Sequence, residues 1–390
     1  MPEAVIVSAV RTPIATARRG TLVDTPAETI AKHVLEAAVA RAGMTSDQVD
    51  DVVFAESQYG GGVLSRHAAV EAGMIGVSGM ATNRHCAGSL TSVAIAAGSI
   101  RGGMDRAVVA GGVQASSMAP QMKQRISGTD DQFADWRPPS HPDRPEAPNS
   151  DMTILVGWNT AKECGITREE MDAWAVRSHQ RAVAAQDAGQ FDNEIVPILV
   201  KRRDGSTIEF SKDEHPRRDA SLEKLASLKP LHPEIDGFSV TAGNASGVND
   251  AGAALMLVSD EYAKALGLTV LGKVRSWAAV GVDPYLTGMA PIWAIPKVLD
   301  RAGLKQGDVT LFEINEAFAP VPIAACKKLG ISEDIVNVAG SGCSLGHPIA
   351  ATGARMLATL VHDLRRRGGG IGLATMCAGG GMAGAVVIEV

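Results

Sequence analysis

The sequence has 390 residues, is 45% hydrophobic and carries a net charge of −6, with acids and bases mixed along its length. That is enough for a sizeable core and two or three structural units, with no basic stripe for nucleic acid and no polybasic run for a membrane surface. Apolar runs are strand-sized or broken by glycine, so neither a transmembrane helix nor a secretory leader is expected, and five widely spaced cysteines (86, 164, 326, 343 and 377) suit a reducing cytoplasm better than a disulfide framework.

Val5-Ile6-Val7 opens as a strand. Thr25-Pro26-Ala27-Glu28 then has the form of a helix N-cap, with Pro at the first position and Glu at the third. Ile30, Val34, Leu35 and Ala38 follow at helical spacing until Gly43. Val52-Val53-Phe54 is a short strand, residues 87–100 a helix of small residues, and Ala107–Ala110 a buried strand ending at Gly111-Gly112. This alternation predicts an α/β fold with a mostly parallel sheet covered on both faces. The composition changes near residue 119. Five prolines between Arg137 and Pro148 exclude regular structure, leaving an extended loop or lid. A capping box at Thr167–Glu170 starts a helix running to about Ala188, and the charged stretch Lys201–Arg218 follows. The alternation resumes at Leu255–Val258, with a strand in 270–280, a helix started by Pro291 and a strand at Leu311–Ile314. It continues with a helix at 320–329, a strand at Val336–Val338, a helix at 350–367 and final strands at 371–376 and 385–390. Both halves end an apolar strand in glycines, a hint that one αβ unit is used twice.

Three segments carry chemistry. Cys86 lies in Asn83-Arg84-His85-Cys86-Ala87-Gly88 just before a helix, where unpaired N–H groups and the helix dipole favour a thiolate nucleophile; a buried structural cysteine is the competing reading. His347 in Gly346-His347-Pro348 is held in a constrained turn that aims an imidazole, or it is a solvated loop histidine. Cys377 runs from an apolar strand into Gly379-Gly380-Gly381, whose bare backbone can approach a substrate oxygen. No Gly-Lys-Ser/Thr follows, so this is not a phosphate loop. Cys343 and His347 lack a second ligand pair, so no metal site is expected. Asn315 in Asn315-Glu316-Ala317-Phe318 follows a strand and either holds a carbonyl or water or simply caps the next element. His85 is better explained by packing than by catalysis.

Taken together these segments resemble the thiolase family, the acetyl-CoA acetyltransferases and 3-ketoacyl-CoA thiolases. The likeness extends over Arg11–Ile14, the Cys86 segment, Thr241–Asp250, Gly281–Pro284, Asn315–Ala319, Gly346–Pro348 and Cys377–Gly381. The resemblance implies a five-layer αβαβα fold of two similar βα halves with an inserted loop domain. Residues 1–118 would form the N-terminal half, completed by 245–266; 119–244 would be the loop domain over the coenzyme A site; 267–390 would be the C-terminal half. It further implies Cys86 as the acylated nucleophile, His347 as its base and Cys377 as the acid/base at the substrate α-carbon. Asn315, through a water, and His347 would hold the enolate oxygen. The N–H groups of Cys86 and Gly379 would hold the acyl oxygen, and Ser246 would lie near the pantetheine arm. Coenzyme A and acetyl-CoA would be substrates, with no tightly bound cofactor and no metal. The protein would be a cytoplasmic homodimer or homotetramer of fatty acid metabolism and β-oxidation, with small-molecule acyl-CoA partners and no nucleic acid or membrane partner.

The chain departs from the family pattern at several points. His85 stands where an aromatic or apolar residue is usual. Met152-Thr153-Ile154 replaces the His-Met-Gly of biosynthetic members, which argues for a longer or branched acyl group. A decarboxylative ketoacyl synthase of related fold is disfavoured, because Cys377 stands in place of a second active-site His or Asn. A non-catalytic acyl-CoA-binding protein is disfavoured because every reactive group is present.

Overall fold

The computed structural model describes residues 1–59 and 61–390. Its strands are β1 (Ala4–Arg11), β2 (Ala15–Thr16), β3 (Asp51–Glu56), β4 (Ser78–Thr82), β5 (Ala107–Ala115), β6 (Met122–Arg125), β7 (Phe133–Trp136), β8 (Ile198–Lys201), β9 (Thr207–Phe210), β10 (Asn249–Ser259), β11 (Gly272–Gly281), β12 (Leu311–Ile314), β13 (Ile371–Ala378) and β14 (Met382–Glu389). The helices are α1 (Ala27–Arg41), α2 (Leu64–Glu71), α3 (Gly88–Arg101), α4 (Asn159–Cys164), α5 (Arg168–Asp187), α6 (Leu222–Ala226), α7 (Asp260–Leu266), α8 (Pro291–Ala302), α9 (Pro320–Leu329), α10 (Gly342–Leu345) and α11 (Thr352–Arg366).

Ten strands form one sheet, in the order β12-β13-β14-β11-β1-β10-β5-β3-β4 with β2 added beside β10. Its two wings repeat a single plan. In the first, β3 is parallel to β5, β5 antiparallel to β10, and β10 antiparallel to β1. In the second, β12 is parallel to β13, β13 antiparallel to β14, and β14 antiparallel to β11. Within the sheet the wings are joined by the β1–β11 pairs Val5↔Lys273 and Ile6↔Gly272.

Alternating side chains along each strand build three apolar layers. Ile30, Val34 and Leu35 of α1 pack on Val52, Val109 and Met256 on one outer face. Ile295 and Val298 of α8 with Ile323 of α9 pack on Ile314, Leu373 and Val387 on the other. Between the wings, Leu90, Val93 and Ala97 of α3 and Leu357 and Leu360 of α11 fill the space between Val108 and Leu255 on one side and Met376 and Val386 on the other. The result is five layers, αβαβα. The two inner helices come very close at their first turns. A Cβ on Gly353 would sit 2.6 Å from the Leu90 nitrogen, and Ser89 Oγ accepts the Ala354 N–H at 3.0 Å. Gly353 on α11 and Ser89 on α3 thus allow the two inner helices to meet this closely.

The sheet is mixed, not mostly parallel as the alternation predicts. Alternation records how elements follow one another, whereas β1, β10, β11 and β14 find partners far away in the chain or across a tight turn. β13 and β14 form a hairpin over Gly379-Gly380-Gly381, with Gly380 and Gly381 at φ 87° and 75°. The strand expected at Val336–Val338 is a single bridge, Phe312↔Val336, occupying the place that β4 takes in the first wing. Asn337 at φ 52° breaks the extension, and its side-chain amide exchanges hydrogen bonds with the Ile314 backbone at 2.8 Å each way. At α1 the N-cap is Pro26 with no side-chain cap, so Thr25 does not fill the capping role. The Thr167–Glu170 capping box does form.

The residues between β5 and β10 add no strand to the large sheet. They carry the hairpins β6–β7 and β8–β9, a π-helical stretch at Thr153–Trp158, and α4, α5 and α6. The proline-rich segment has no regular element and crosses the β13–β14 turn: a Cβ on Gly380 would lie 2.9 Å from the Ser140 carbonyl oxygen.

Candidate active site

Cys86 occupies the turn that launches α3. Asn83 Oδ1 accepts the His85 N–H at 2.8 Å, His85 takes φ 43°, and Ala87 and Gly88 donate to the carbonyls of Arg84 and His85. The turn leaves Cys86 half-buried. Burial pushes its thiol up to about 11, against the opposing pull of its own N–H and that of Gly379. The helix-start position does not yield the depressed thiol that the sequence suggests, because desolvation outweighs two N–H contacts. At neutral pH the sulfur holds its proton, so an attack by Cys86 needs a base.

His347 is the candidate. Gly346, at φ 99°, lets the loop fold tightly against Asn249; a Cβ there would lie 2.4 Å from Asn249 Oδ1. That oxygen accepts the His347 N–H at 2.9 Å, while Asn249 Nδ2 donates to the Ala15 carbonyl at 3.0 Å. The imidazole is buried, with Nδ1 2.8 Å from Thr352 Oγ1 at the first turn of α11. Burial, then the positive charge of Arg355, lowers its pKa to about 3. The ring is therefore neutral across the physiological range. Since α3 and α11 meet at their first turns, Cys86 and His347 are delivered to the same end of the inner layer.

Cys377 closes β13 and is buried. Its thiol is raised far above the ordinary range, first by burial and then by the proximity of Cys86. The Gly379–Gly381 turn is fixed from outside by Val282 N–H to the Gly381 carbonyl at 2.7 Å and by Gly381 N–H to Thr287 Oγ1 at 3.0 Å. Asn315 follows β12, with its N–H donated to the Thr375 carbonyl at 3.0 Å. Its Nδ2 lies 3.4 and 3.5 Å from the two ring nitrogens of His347, and its buried Oδ1 has no partner. This orphaned buried acceptor lies beside Gly342, where a Cβ would come within 2.9 Å of it, and it fits a water as partner. Ser246 is half-buried and donates its N–H to the Ala317 carbonyl at 3.0 Å, which joins it to the Asn315–Phe318 loop.

His85 and Cys343 are placed differently. A Cβ on Gly379 would lie 3.7 Å from the His85 ring, so this side chain flanks the glycine turn. Cys343 is buried with its sulfur near the Asn244 and Glu316 carbonyls, and burial raises its thiol well above the usual value. Its backbone does more than its sulfur. Glu316 accepts from Cys343 N–H (3.0 Å), Trp174 Nε1 (2.8 Å), Ser178 Oγ (2.6 Å) and Asn337 Nδ2 (2.9 Å), tying α5 and α10 to the loop that carries Asn315. Sequence reasoning missed Glu316, Asn249, Thr352 and Arg355. Glu316 and Asn249 lie inside quoted motifs, and the signal was a charged or amide residue between apolar neighbours, which needs partners once buried. Among the described residues no group of three or more His, Cys, Asp or Glu side chains could hold a metal ion, and no helix is long and apolar enough to cross a membrane.

A sheet of two repeated wings, with two thiols, a neutral imidazole and an amide gathered where the inner helices begin, defines an acyl-transfer site of the thiolase kind. Comparison with known proteins agrees. Residues 4–261 match the thiolase N-terminal domain and residues 268–390 the thiolase C-terminal domain, and the chain belongs to the thiolase family. It is 39% identical to an acetyl-CoA acetyltransferase of Cupriavidus necator over 406 residues, spanning 100% of both chains. It is 37% identical to a 3-ketoacyl-CoA thiolase of Bacillus subtilis over 408 residues, again spanning both in full. The crystal structure of the Bacillus anthracis acetyl-CoA acetyltransferase superposes with a TM-score of 0.89 at 38% identity, covering 100% of this chain and 99% of the other.

Proposed function

We propose that the protein catalyses coenzyme A-dependent cleavage of 3-ketoacyl-CoA, and the reverse Claisen condensation, through an acyl group on Cys86. In cleavage, His347 takes the Cys86 proton and the sulfur attacks the 3-keto carbon. The carbon–carbon bond breaks, Cys377 protonates the departing acetyl-CoA enolate, and the thiol of a second coenzyme A then takes the acyl group from Cys86. The enolate oxygen would be held by His347 and by Asn315 through a water, and the acyl oxygen by the Cys86 and Gly379 N–H groups. The observation that supports this reading is the grouping of Asn315 Nδ2 at 3.4 Å from the His347 ring, itself held by Thr352 at 2.8 Å, with Cys377 close beside Cys86. Cys377 in place of a second active-site His or Asn disfavours a decarboxylative synthase. Incubation with acetyl-CoA should add one acetyl group to Cys86 by intact mass and peptide mapping, and Cys86→Ala should abolish both the adduct and turnover. An acetyl group on the Ala variant would remove Cys86 from the mechanism.

The rest of the reading follows the same lines. Residues 119–244 would act as the loop domain over coenzyme A, with Ser246 near the pantetheine arm, between a first half (1–118 with 245–266) and a second (267–390). The absence of any large-sheet strand between β5 and β10 supports this division. Met152 packs on the apolar cluster that includes Cys377, Phe318 and Leu155, which supports an apolar wall for an acyl chain. We also propose a homo-oligomer, dimer or tetramer. Strand β4 is a free sheet edge with Met80 39% exposed, and beside it Thr91, Ile95 and Trp277 line a cleft of about 410 Å³. The five free cysteines fit a cytoplasmic setting.

A further inference from the structure

We infer that Thr352 is a positioning residue that fixes the tautomer of His347, so that Nδ1 carries the proton and Nε2 presents a lone pair to the site. The inference rests on the proposal that His347 is the base for Cys86.

Thr352 Oγ1 stands 2.8 Å from the Pro348 carbonyl oxygen and 2.8 Å from His347 Nδ1. A carbonyl can only accept, so the single hydroxyl proton is used there, and the contact with the ring is made by Nδ1–H donating to the hydroxyl lone pair. The neutral ring has one proton, and placing it on Nδ1 leaves Nε2 bare. Among the described residues, Asn315 is the other polar side chain close to the ring, and its Nδ2, 3.4 Å from Nδ1 and 3.5 Å from Nε2, is placed too evenly to select a tautomer. The selection therefore falls to Thr352. Thr352 is held rigidly for this task. It is fully buried at the first turn of α11, and its N–H also donates to the Pro348 carbonyl at 2.9 Å. The Ala351 N–H reaches the same carbonyl at 2.9 Å. Removing the Thr352 hydroxyl consequently leaves Pro348 satisfied and strands only the Nδ1–H. In that state the Nε2–H tautomer competes, and its lone pair lies on Nδ1, turned toward residue 352, so Nε2 is not free to take the Cys86 proton.

The test compares Thr352→Val, which keeps shape but loses the hydroxyl, with Thr352→Ser, which keeps the hydroxyl. The Val variant should lose about 10²-fold in kcat and in the rate at which iodoacetamide alkylates Cys86, the lower end of what a general base contributes. Its KM for acetyl-CoA should not change, and its pH–rate profile should move to higher pH as hydroxide replaces the base. The Ser variant should restore the wild-type rate and profile. Independently, ¹⁵N spectra of histidine-labelled protein, with the His347 signals assigned by their loss in His347→Asn, should show a protonated Nδ1 and a bare Nε2. A Val variant that alkylates at the wild-type rate with an unchanged profile, a Ser variant as slow as Val, or a protonated Nε2 would each overturn the inference. If Val does not fold, the Ser variant and the spectra decide. Unchanged Cys86 alkylation in His347→Asn would instead sink the base reading, and the spectra would still report the tautomer.

Discussion

Burial raises the thiols of both Cys86 and Cys377, yet their surroundings differ. Cys86 is open enough to meet a substrate and has N–H groups to hold negative charge, whereas Cys377 is sealed in an apolar cluster beside it. Each thiolate raises the other's cost of ionising, so one proton leaves at a time. A nucleophile and a proton donor are the two roles such a pair can fill. Cys377→Ser should therefore still accept an acetyl group on Cys86 but lose exchange of the acetyl-CoA α-protons with deuterated water, by about 10²–10⁴-fold. Exchange at the wild-type rate would assign that proton to another group. Cys86, His347 and Cys377 are legible in the sequence because glycine and proline mark the turns that aim them. Thr352 and Arg355 are not, since each matters only through its distance from a ring on the preceding loop.

At the scale of elements, the proline-rich segment lies against the Gly380 turn and the π-helical stretch against the Cys377 cluster. Met152 and Ile154 pack, with Leu155 and Phe238, on the cluster that holds Cys377. His232 pins the start of this stretch, with Nε2 2.8 Å from Asp151 Oδ2 and Nδ1 2.7 Å from Glu234 Oε1. An apolar wall gains about 0.8 kcal/mol for each methylene it buries, so two further carbons on the substrate should be measurable. A six-carbon or longer 3-ketoacyl-CoA should be cleaved with higher kcat/KM than acetoacetyl-CoA, read from loss of the magnesium-enolate absorbance. A strict preference for acetoacetyl-CoA, with longer chains inert, would restore a short-chain reading. Five prolines in twelve residues mark the lid as irregular in the sequence. The π-helical stretch has no such signature, because its widened turn comes from packing against Phe318 and Val240, which a Cβ on Gly157 would approach to 3.0 Å.

Across the whole molecule, the βα alternation was legible and the strand pairing was not. Hydrophobic runs at β5, β10 and β13 mark buried strands, but the partner of each depends on residues far off in the chain. The repeat of the two wings is visible in strand order and direction even though Val336 keeps only one bridge of the strand that β4 supplies opposite. Under the proposed homo-oligomer, the open edge at β4 and the cleft that reaches the inner helix α3 are where a second subunit would sit. Met80→Lys, an exposed edge position, should shift the protein toward monomer in sedimentation velocity while leaving the far-UV spectrum unchanged. An unaltered sedimentation coefficient would place the subunit contact elsewhere.

The seam between the wings also sets a clock for synthesis. Arg11 pairs with Ala253 and Val5 with Lys273, so β1 leaves the ribosome long before either neighbour exists. At about 5–20 residues per second the wait is on the order of 10–50 s. During it, a strand whose side chains are all destined for burial has no ladder to join. The chain must pass that interval with β1 apolar and unpaired.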